Sequence, residues 1–260
     1  MTVVDRHDEG TFCWVEIAAR TEAGRDYYPR LFGWEADTQA IPGGTYTMFS
    51  LGGRLVAGGF LLGEQQIAGG MPAHWNLYVA VTDMDGAVGR ATELGGTVVV
   101  PPLDVPNMGR TASLTDPTGA TVCLWEAGGL AGFQVRDEPG TLSWPELLTS
   151  DTDRAGSFYG ELFGWTATES MQLASGEPYT IFRMGGRGVG GLAPLPVPDM
   201  ESFWIPYFEV ADCDGDVASA VALGAHVHVE ATTVDGAGRF AALGDPDDAG
   251  FCVIQSQSAQ

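Results

Sequence analysis

The stretch "FYGELFGW" at 158–165 is a second appearance, because "YYPRLFGW" stands at 27–34. Each reads as the end of a helix, and Gly33 closes the first copy in the left-handed conformation that glycine adopts most easily. Working outward from this pair, the rest of the chain also repeats. "GTFCWVEI" (10–17) returns as "GTLSWPEL" (140–147), and "YTMFSLGGR" (46–54) returns as "YTIFRMGGR" (179–187). "HWNLYVAVTDMDG" (74–86) returns as "FWIPYFEVADCDG" (203–215), and "GRTASLTDP" (109–117) returns as "GRFAALGDP" (238–246). The order is kept and the offset stays at about 130 residues, so a domain has been duplicated, with its seam in the Gly-rich stretch 127–140. The expected domains are 1–130 and 131–260.

Each copy reads strand, helix and strands, and then does so again. In the first copy the expected elements are strand 12–19, helix 22–32, strands 45–51 and 54–62, strand 74–81, helix 85–94, and strands 97–100, 110–115 and 121–126. Asp83 or Asp85 is placed to cap the second helix. Pro29 conflicts with a continuous first helix and predicts a kink or a shorter span.

Composition narrows the class. In 260 residues there are 12 Arg and no Lys against 34 Asp and Glu, giving a net charge of −22. Such a chain repels nucleic acid and anionic membranes. Apolar residues make up 45% of the chain and form no run long enough to span a bilayer. The N-terminus has no basic segment followed by an apolar one, so the expectation is a cytoplasmic protein. Cys13, Cys123, Cys213 and Cys252 form no CxxC pair and fit reduced thiols.

The first strand, "TFCWVEIAA", alternates. Cys13, Val15, Ile17 and Ala19 make an ordinary core face; Phe12, Trp14, Glu16 and Ala18 make a face on which an indole sits beside a carboxylate.

The helix end "FYGELFGW", the segment "YVAVTDMD"–helix–"LGGTVVV", and the turn "DPTG" before the last strand resemble the vicinal oxygen chelate superfamily. That superfamily includes glyoxalase I, extradiol dioxygenases and bleomycin-binding proteins. The resemblance covers nearly the whole chain. It implies an α+β fold of two tandem domains, each of two βαβββ units forming curled mixed sheets, four units in all. The units pair either within a copy or exchanged between copies.

The superfamily's metalloenzymes place His, Gln or Glu ligands on strand positions facing the cup. Carried over, the first-strand position falls on Trp14 and Trp144, the fifth-strand position on Asn76 and Ile205, and the last-strand position on Cys123 and Cys252. The fourth-strand stretches, 55–61 and 188–194, hold no ionisable side chain. The resemblance therefore implies no metal and no cofactor here.

By alternation, the cup residues are Trp14, Glu16, His74, Asn76, Tyr78, Cys123 and Trp125 in the first copy. In the second they are Trp144, Glu146, Phe203, Ile205, Tyr207, Glu209, Cys252 and Ile254. Trp34, Trp75, Trp165 and Trp204 are expected in the core. An aromatic cup with carboxylates suits a flat, apolar partner held by stacking. The expected function is binding of a small aromatic or polycyclic molecule, for sequestration, self-resistance or biosynthesis. The alternative is a metal-independent enzyme acting on a ketone or quinone, with His74 and Glu16 as its acid and base. A homodimer is compatible with either.

Three further patterns carry less. His226 and His228 alternate on a strand as a metal pair would, or simply as a solvated face. "GRGVGG" (186–191) matches a dinucleotide fingerprint, but no helix follows it. "DCDGD" (212–216) matches a calcium loop, but Leu223 stands where its last ligand belongs, so capping of a helix explains it better.

Overall fold

The computed structural model describes residues 2–173, 176–197 and 199–257. A short strand β1 (Thr2–Val3) precedes the first copy. That copy comprises β2 (Phe12–Ala19), α1 (Glu22–Arg25), α2 (Tyr27–Phe32), β3 (Glu35–Ile41), β4 (Gly44–Leu51), β5 (Arg54–Leu61), α3 (Glu64–Ala68), β6 (His74–Val81), α4 (Met84–Glu93), β7 (Thr97–Val105), β8 (Gly109–Thr115) and β9 (Thr121–Ala127). The short β10 (Val135–Arg136) lies in the seam and pairs antiparallel with β1. The second copy comprises β11 (Leu142–Thr149), α5 (Thr152–Phe163), β12 (Thr166–Gln172), β13 (Pro178–Met184), β14 (Arg187–Pro194), β15 (Phe203–Glu209), α6 (Cys213–Ala222), β16 (His226–Val234), β17 (Gly238–Gly244) and β18 (Gly250–Ser256).

Each copy forms one curled mixed sheet of eight strands, ordered β3-β4-β5-β2-β6-β9-β8-β7 and β12-β13-β14-β11-β15-β18-β17-β16. The two βαβββ units of a copy join through the antiparallel pairs β2–β6 and β11–β15. Units therefore pair within a copy, and each cup is built from one half of the chain.

The faces opposite the cups meet. Trp75 on β6 lies 5.1 Å, centroid to centroid, from Phe208 on β15. The helices fill the gap. Tyr28 on α2 packs on Trp75 and on Phe251 of the other copy, and its hydroxyl donates to Asp245 (3.0 Å) while accepting from Trp75 Nε1 (2.9 Å). Tyr159 on α5 accepts the equivalent bond from Trp204 Nε1 (2.9 Å). Trp34 and Trp165 are buried and each donates its indole N–H to a backbone carbonyl, of Gly140 and Gly10 respectively. All four of these tryptophans occupy the expected core, one that spans both copies.

The "DP" turn ties the halves together. Asp247 accepts from the backbone N–H of Arg20 and of Thr21 and from the Thr21 hydroxyl, at 2.7–2.8 Å. Those residues open α1, so the turn of the second copy anchors a helix of the first.

Most local expectations are met, and one strand was missed. The first helix is two short ones. Pro29 has no N–H for the carbonyl of Arg25, and the chain breaks at Asp26 and restarts. The second copy has no proline there, and α5 runs 12 residues unbroken. Gly33 and Gly164 both cap in the left-handed region, at φ 70° and 73°. Strand β3 was not expected, because all seven of its residues are exposed and carry no apolar period. Asp83 and Asp212 are the side-chain caps of α4 and α6, which accounts for "DCDGD".

Candidate functional site

Alternation predicts that Phe12 shares the cup face with Trp14, and it does not. Phe12 pairs with Val79 and Trp14 with Tyr78, so a bulge at Cys13 places two residues of β2 against one step of β6. Phe12 turns to the other face and packs on Trp165 and Trp204 of the second copy. Trp14 and Glu16 remain in the cup. The same shift lies between Leu142 and Trp144.

Glu16 is the centre of the first cup. It is 7% exposed and accepts from three donors: the Tyr46 hydroxyl at 2.8 Å, the Tyr78 hydroxyl at 2.5 Å, and the Asn76 amide at 3.3 Å. Trp14 Nε1 in turn donates to the Tyr46 oxygen at 3.1 Å. Burial pushes the Glu16 carboxyl above the usual carboxylate range, against the pull of the three hydrogen bonds. Both phenols are raised well above theirs, first by burial and then by the charge of Glu16.

The second cup repeats this arrangement. Glu146 accepts from Tyr179 at 2.7 Å and from Tyr207 at 3.0 Å, and Trp144 Nε1 donates to the Tyr179 oxygen at 3.0 Å. Burial raises the Glu146 carboxyl as well.

Tyr46 and Tyr179 escaped the sequence reading. Tyr46 sits on β4 and reaches Glu16 on β2 across the intervening strand β5. Gly58 lies directly opposite Glu16 on that strand, and a Cβ there would overlap the Tyr46 hydroxyl. Gly191 stands in the same relation to Glu146 and Tyr179. The available signal was the repeat itself, since the two tyrosines head the matched motifs at 46–54 and 179–187.

The other predicted residues divide. Asn76 joins Glu16, and Cys123 lies beside both Asn76 Oδ1 (3.8 Å) and Ser113 Oγ (3.7 Å). Its thiol is buried and pushed up to about 12, mainly by desolvation, so it is no ready nucleophile. Trp125 is held at its strand end by a bond from Nε1 to the carbonyl of Leu130 (2.8 Å). In the second cup Ile205, Tyr207, Cys252 and Ile254 form an apolar cluster of their own, against which Trp144 and Phe203 pack. Glu209 lies outside this group, because its carboxylate is taken by Ser143 and by the N–H and hydroxyl of Ser256.

His74 makes no hydrogen bond to Glu16 among the described residues. Its Nδ1 lies 2.9 Å from the carbonyl of Pro72, although its charged form is close enough to favour ionised Glu16. His228 pairs with Asp248 at 3.0 Å. Among the described residues no three His, Cys, Asp or Glu side chains converge as a metal site would require.

Two cavities lie elsewhere. One of about 570 Å³ sits where the copies meet, lined in part by Asp83, Arg90, Glu161 and Phe163; the other, of about 360 Å³, lies beside the β7–β8 turn. Neither is lined by a predicted site residue.

A model of the glyoxalase-like domain family matches this sequence twice, over residues 14–125 and 146–254. The chain belongs to that family. Its glyoxalase-like domains are tandem, in agreement with the two sheets. Among similar proteins, "Putative glyoxylase CFP32" of Mycobacterium tuberculosis is 38% identical over 97% of both chains. "Anthracycline biosynthesis protein DnrV" of Streptomyces peucetius is 34% identical over 96% of this chain and 94% of that one. "Anthracycline biosynthesis protein DauV" of Streptomyces sp. strain C5 is 33% identical over 98% and 96%.

Among solved structures, the Mn(II)-bound glyoxalase of Novosphingobium aromaticivorans superposes with a TM-score of 0.67 at 14% identity, covering 95% of this chain and 82% of that one. The 2,3-dioxygenase LapB of Pseudomonas sp. KL28 gives 0.65 at 14% identity, covering 98% and 93%. At such identity the likeness shows the fold alone.

The glyoxalase-like fold raises the question of a metal, and the residues here do not fit one. The cup positions carry Trp14, Gly58, Asn76 and Cys123, repeated as Trp144, Gly191, Ile205 and Cys252. Where a fourth-strand carboxylate would stand, the Tyr46 hydroxyl occupies the space over Gly58. That set offers no imidazole and no carboxylate, and the neighbouring Glu16 is already engaged by three donors.

Proposed function

We propose that this protein binds a small aromatic molecule, a planar polycyclic natural product or drug, in a cup without a metal. The observation that carries the reading is the Trp–Tyr–Glu–Tyr arrangement of each cup. It replaces a ligand set with a rigid aromatic wall backed by a buried carboxyl. Trp144 is partly exposed and Trp14 is 4% exposed, and each ring on which a ligand stacks contributes about 1 kcal/mol beyond its buried area. Two relatives are named as anthracycline biosynthesis proteins, which agrees with a planar aromatic ligand and with a biosynthetic or self-resistance role. A cytoplasmic location and domain limits at 1–130 and 131–260 belong to the same proposal.

A second reading has one observation in its favour. Burial raises the Glu16 carboxyl, which is what a general acid needs near neutral pH. In that case the cup is a metal-independent active site for a ketone or quinone, with His74 reached through movement of its ring or through water.

Native mass spectrometry of the protein with a panel of polycyclic aromatic compounds separates these readings. A complex of unchanged ligand mass without metal supports binding, and a changed mass supports the enzyme. A stoichiometric metal adduct refutes both. Trp14→Ala together with Trp144→Ala should weaken any complex by at least about tenfold. Unchanged affinity would remove the tryptophans from the site.

A further inference from the structure

The two cups share their Glu, Tyr and Trp residues but differ in the wall beside them. In the first cup, β6 presents His74 and Asn76, and β8 presents Thr111 and Ser113. The corresponding residues of the second cup are Phe203, Ile205, Phe240 and Ala242, paired in the same registers. Ser113 is opposite Cys123 as Ala242 is opposite Cys252. Thus four polar side chains in one cup stand against four apolar ones in the other.

The consequences differ. In the second cup Phe240 packs its ring on Tyr207 at 5.8 Å, and Phe203, Trp144 and Leu148 close around Ile205, Cys252 and Ile254. Phe203, Ile205, Phe240 and Ala242 carry no hydrogen-bonding side-chain group. In the first cup Thr111 brings no ring, and Trp125 is tied back to Leu130. Polar valence is left over there. Asn76 uses one N–H on Glu16, which leaves its second N–H. Ser113 Oγ lies 3.7 Å from Cys123 Sγ, a weak bond whichever atom donates, so the hydroxyl is free to turn its proton to a better acceptor. Both residues are half-buried, open enough to be reached and dry enough for a hydrogen bond to discriminate.

We infer that the first cup alone is the ligand cup, and that it takes a planar aromatic molecule whose carbonyl or phenolic edge meets Asn76 and Ser113, a contact that the apolar wall of the second cup cannot make. This rests on the aromatic-ligand reading above. The leftover groups are both donors, so the ligand edge they meet must accept. A hydroxyquinone has that edge, with carbonyl and phenol oxygens side by side. A plain hydrocarbon of the same area lacks it and would leave those donors unpaired.

Isothermal titration with 1,8-dihydroxyanthraquinone is the test. The full chain should bind one molecule. Asn76→Ile installs the residue that the second cup already carries beside the same Glu–Tyr–Tyr arrangement, so the fold has a precedent for it. It should weaken binding at least about tenfold, and Ser113→Ala, which removes only a hydroxyl, about fivefold. If Asn76→Ile does not fold, Ser113→Ala carries the test alone. Two equal sites per chain, or affinity within about twofold of wild type in the variants, overturns the assignment and leaves aromatic binding standing. No binding of this compound or of any other member of the panel overturns both.

Discussion

Replacing Gly58 by alanine should do more damage than any ordinary strand glycine, and removing one oxygen elsewhere should undo part of it. In an exposed strand Gly→Ala is usually favourable. Here the new Cβ overlaps the Tyr46 hydroxyl and comes within 3.1 Å of Trp14 Nε1. Overpacking of this kind costs roughly 1–3 kcal/mol. Displacing the hydroxyl also loses its bond to buried Glu16 and the one it receives from Trp14, together about 2 kcal/mol. Gly58→Ala should therefore cost about 4 kcal/mol.

Tyr46→Phe alone loses the same two bonds, about 2 kcal/mol. In the double variant those bonds are lost once instead of twice, and the overlap eases. The ring tip, 2.7 Å from the new Cβ, must still give way by some tenths of an ångström. The double variant should cost about 3–4 kcal/mol in place of the additive 6, a coupling of about 2–3 kcal/mol. Urea unfolding followed by tryptophan fluorescence measures it, compared through midpoints at constant slope. Losses that add within about 0.5 kcal/mol would refute the claim that the Tyr46 hydroxyl fills the space over Gly58.

Tyr28→Phe should cost about 2 kcal/mol in the same assay, because its hydroxyl joins Asp245 of one copy to Trp75 of the other. Stability should rise as pH falls from neutral. Burial holds the Asp245 carboxyl at about 6 against an ordinary 3.8, so the folded state binds that proton more tightly than the unfolded one. Its contribution is fully present below pH ~4 and lost as pH climbs through ~6, up to about 3 kcal/mol in all. Glu16 and Glu146 are raised as well and act in the same direction. Asp245→Asn should flatten the profile between pH 4 and 7 (approximate limits); an unchanged slope would contradict the assignment. All four cysteines are buried, and burial raises each thiol. A disulfide reagent at mildly alkaline pH should therefore label none of them in the native protein and all four in urea; rapid native labelling would refute their burial.

The duplication and the alternation that sends Trp14, Glu16, Asn76, Tyr78 and Cys123 to one face were written in the sequence, whereas the fold class came from the resemblance to a known superfamily. Those features are local or repeated, and repetition makes weak local signals legible twice. Strand β3 was not legible, since an exposed edge strand needs no apolar period to hold its place. Nor was the position of Phe12, because a bulge changes the side a residue faces without changing its identity. The joining of βαβββ units within a copy was open in the sequence, because both pairings bury the same residues.

Tertiary structure alone decided the site. Glu16, Tyr46, Gly58 and Tyr78 lie on four different strands, and their meeting depends on the order β4-β5-β2-β6. A glycine on the middle strand means nothing until a tyrosine from the next strand is found lying over it. The difference between the cups has the same character. Asn76 against Ile205 and Ser113 against Ala242 are single substitutions in a repeat, and only the strand order gathers them into a polar wall in one cup and an apolar one in the other.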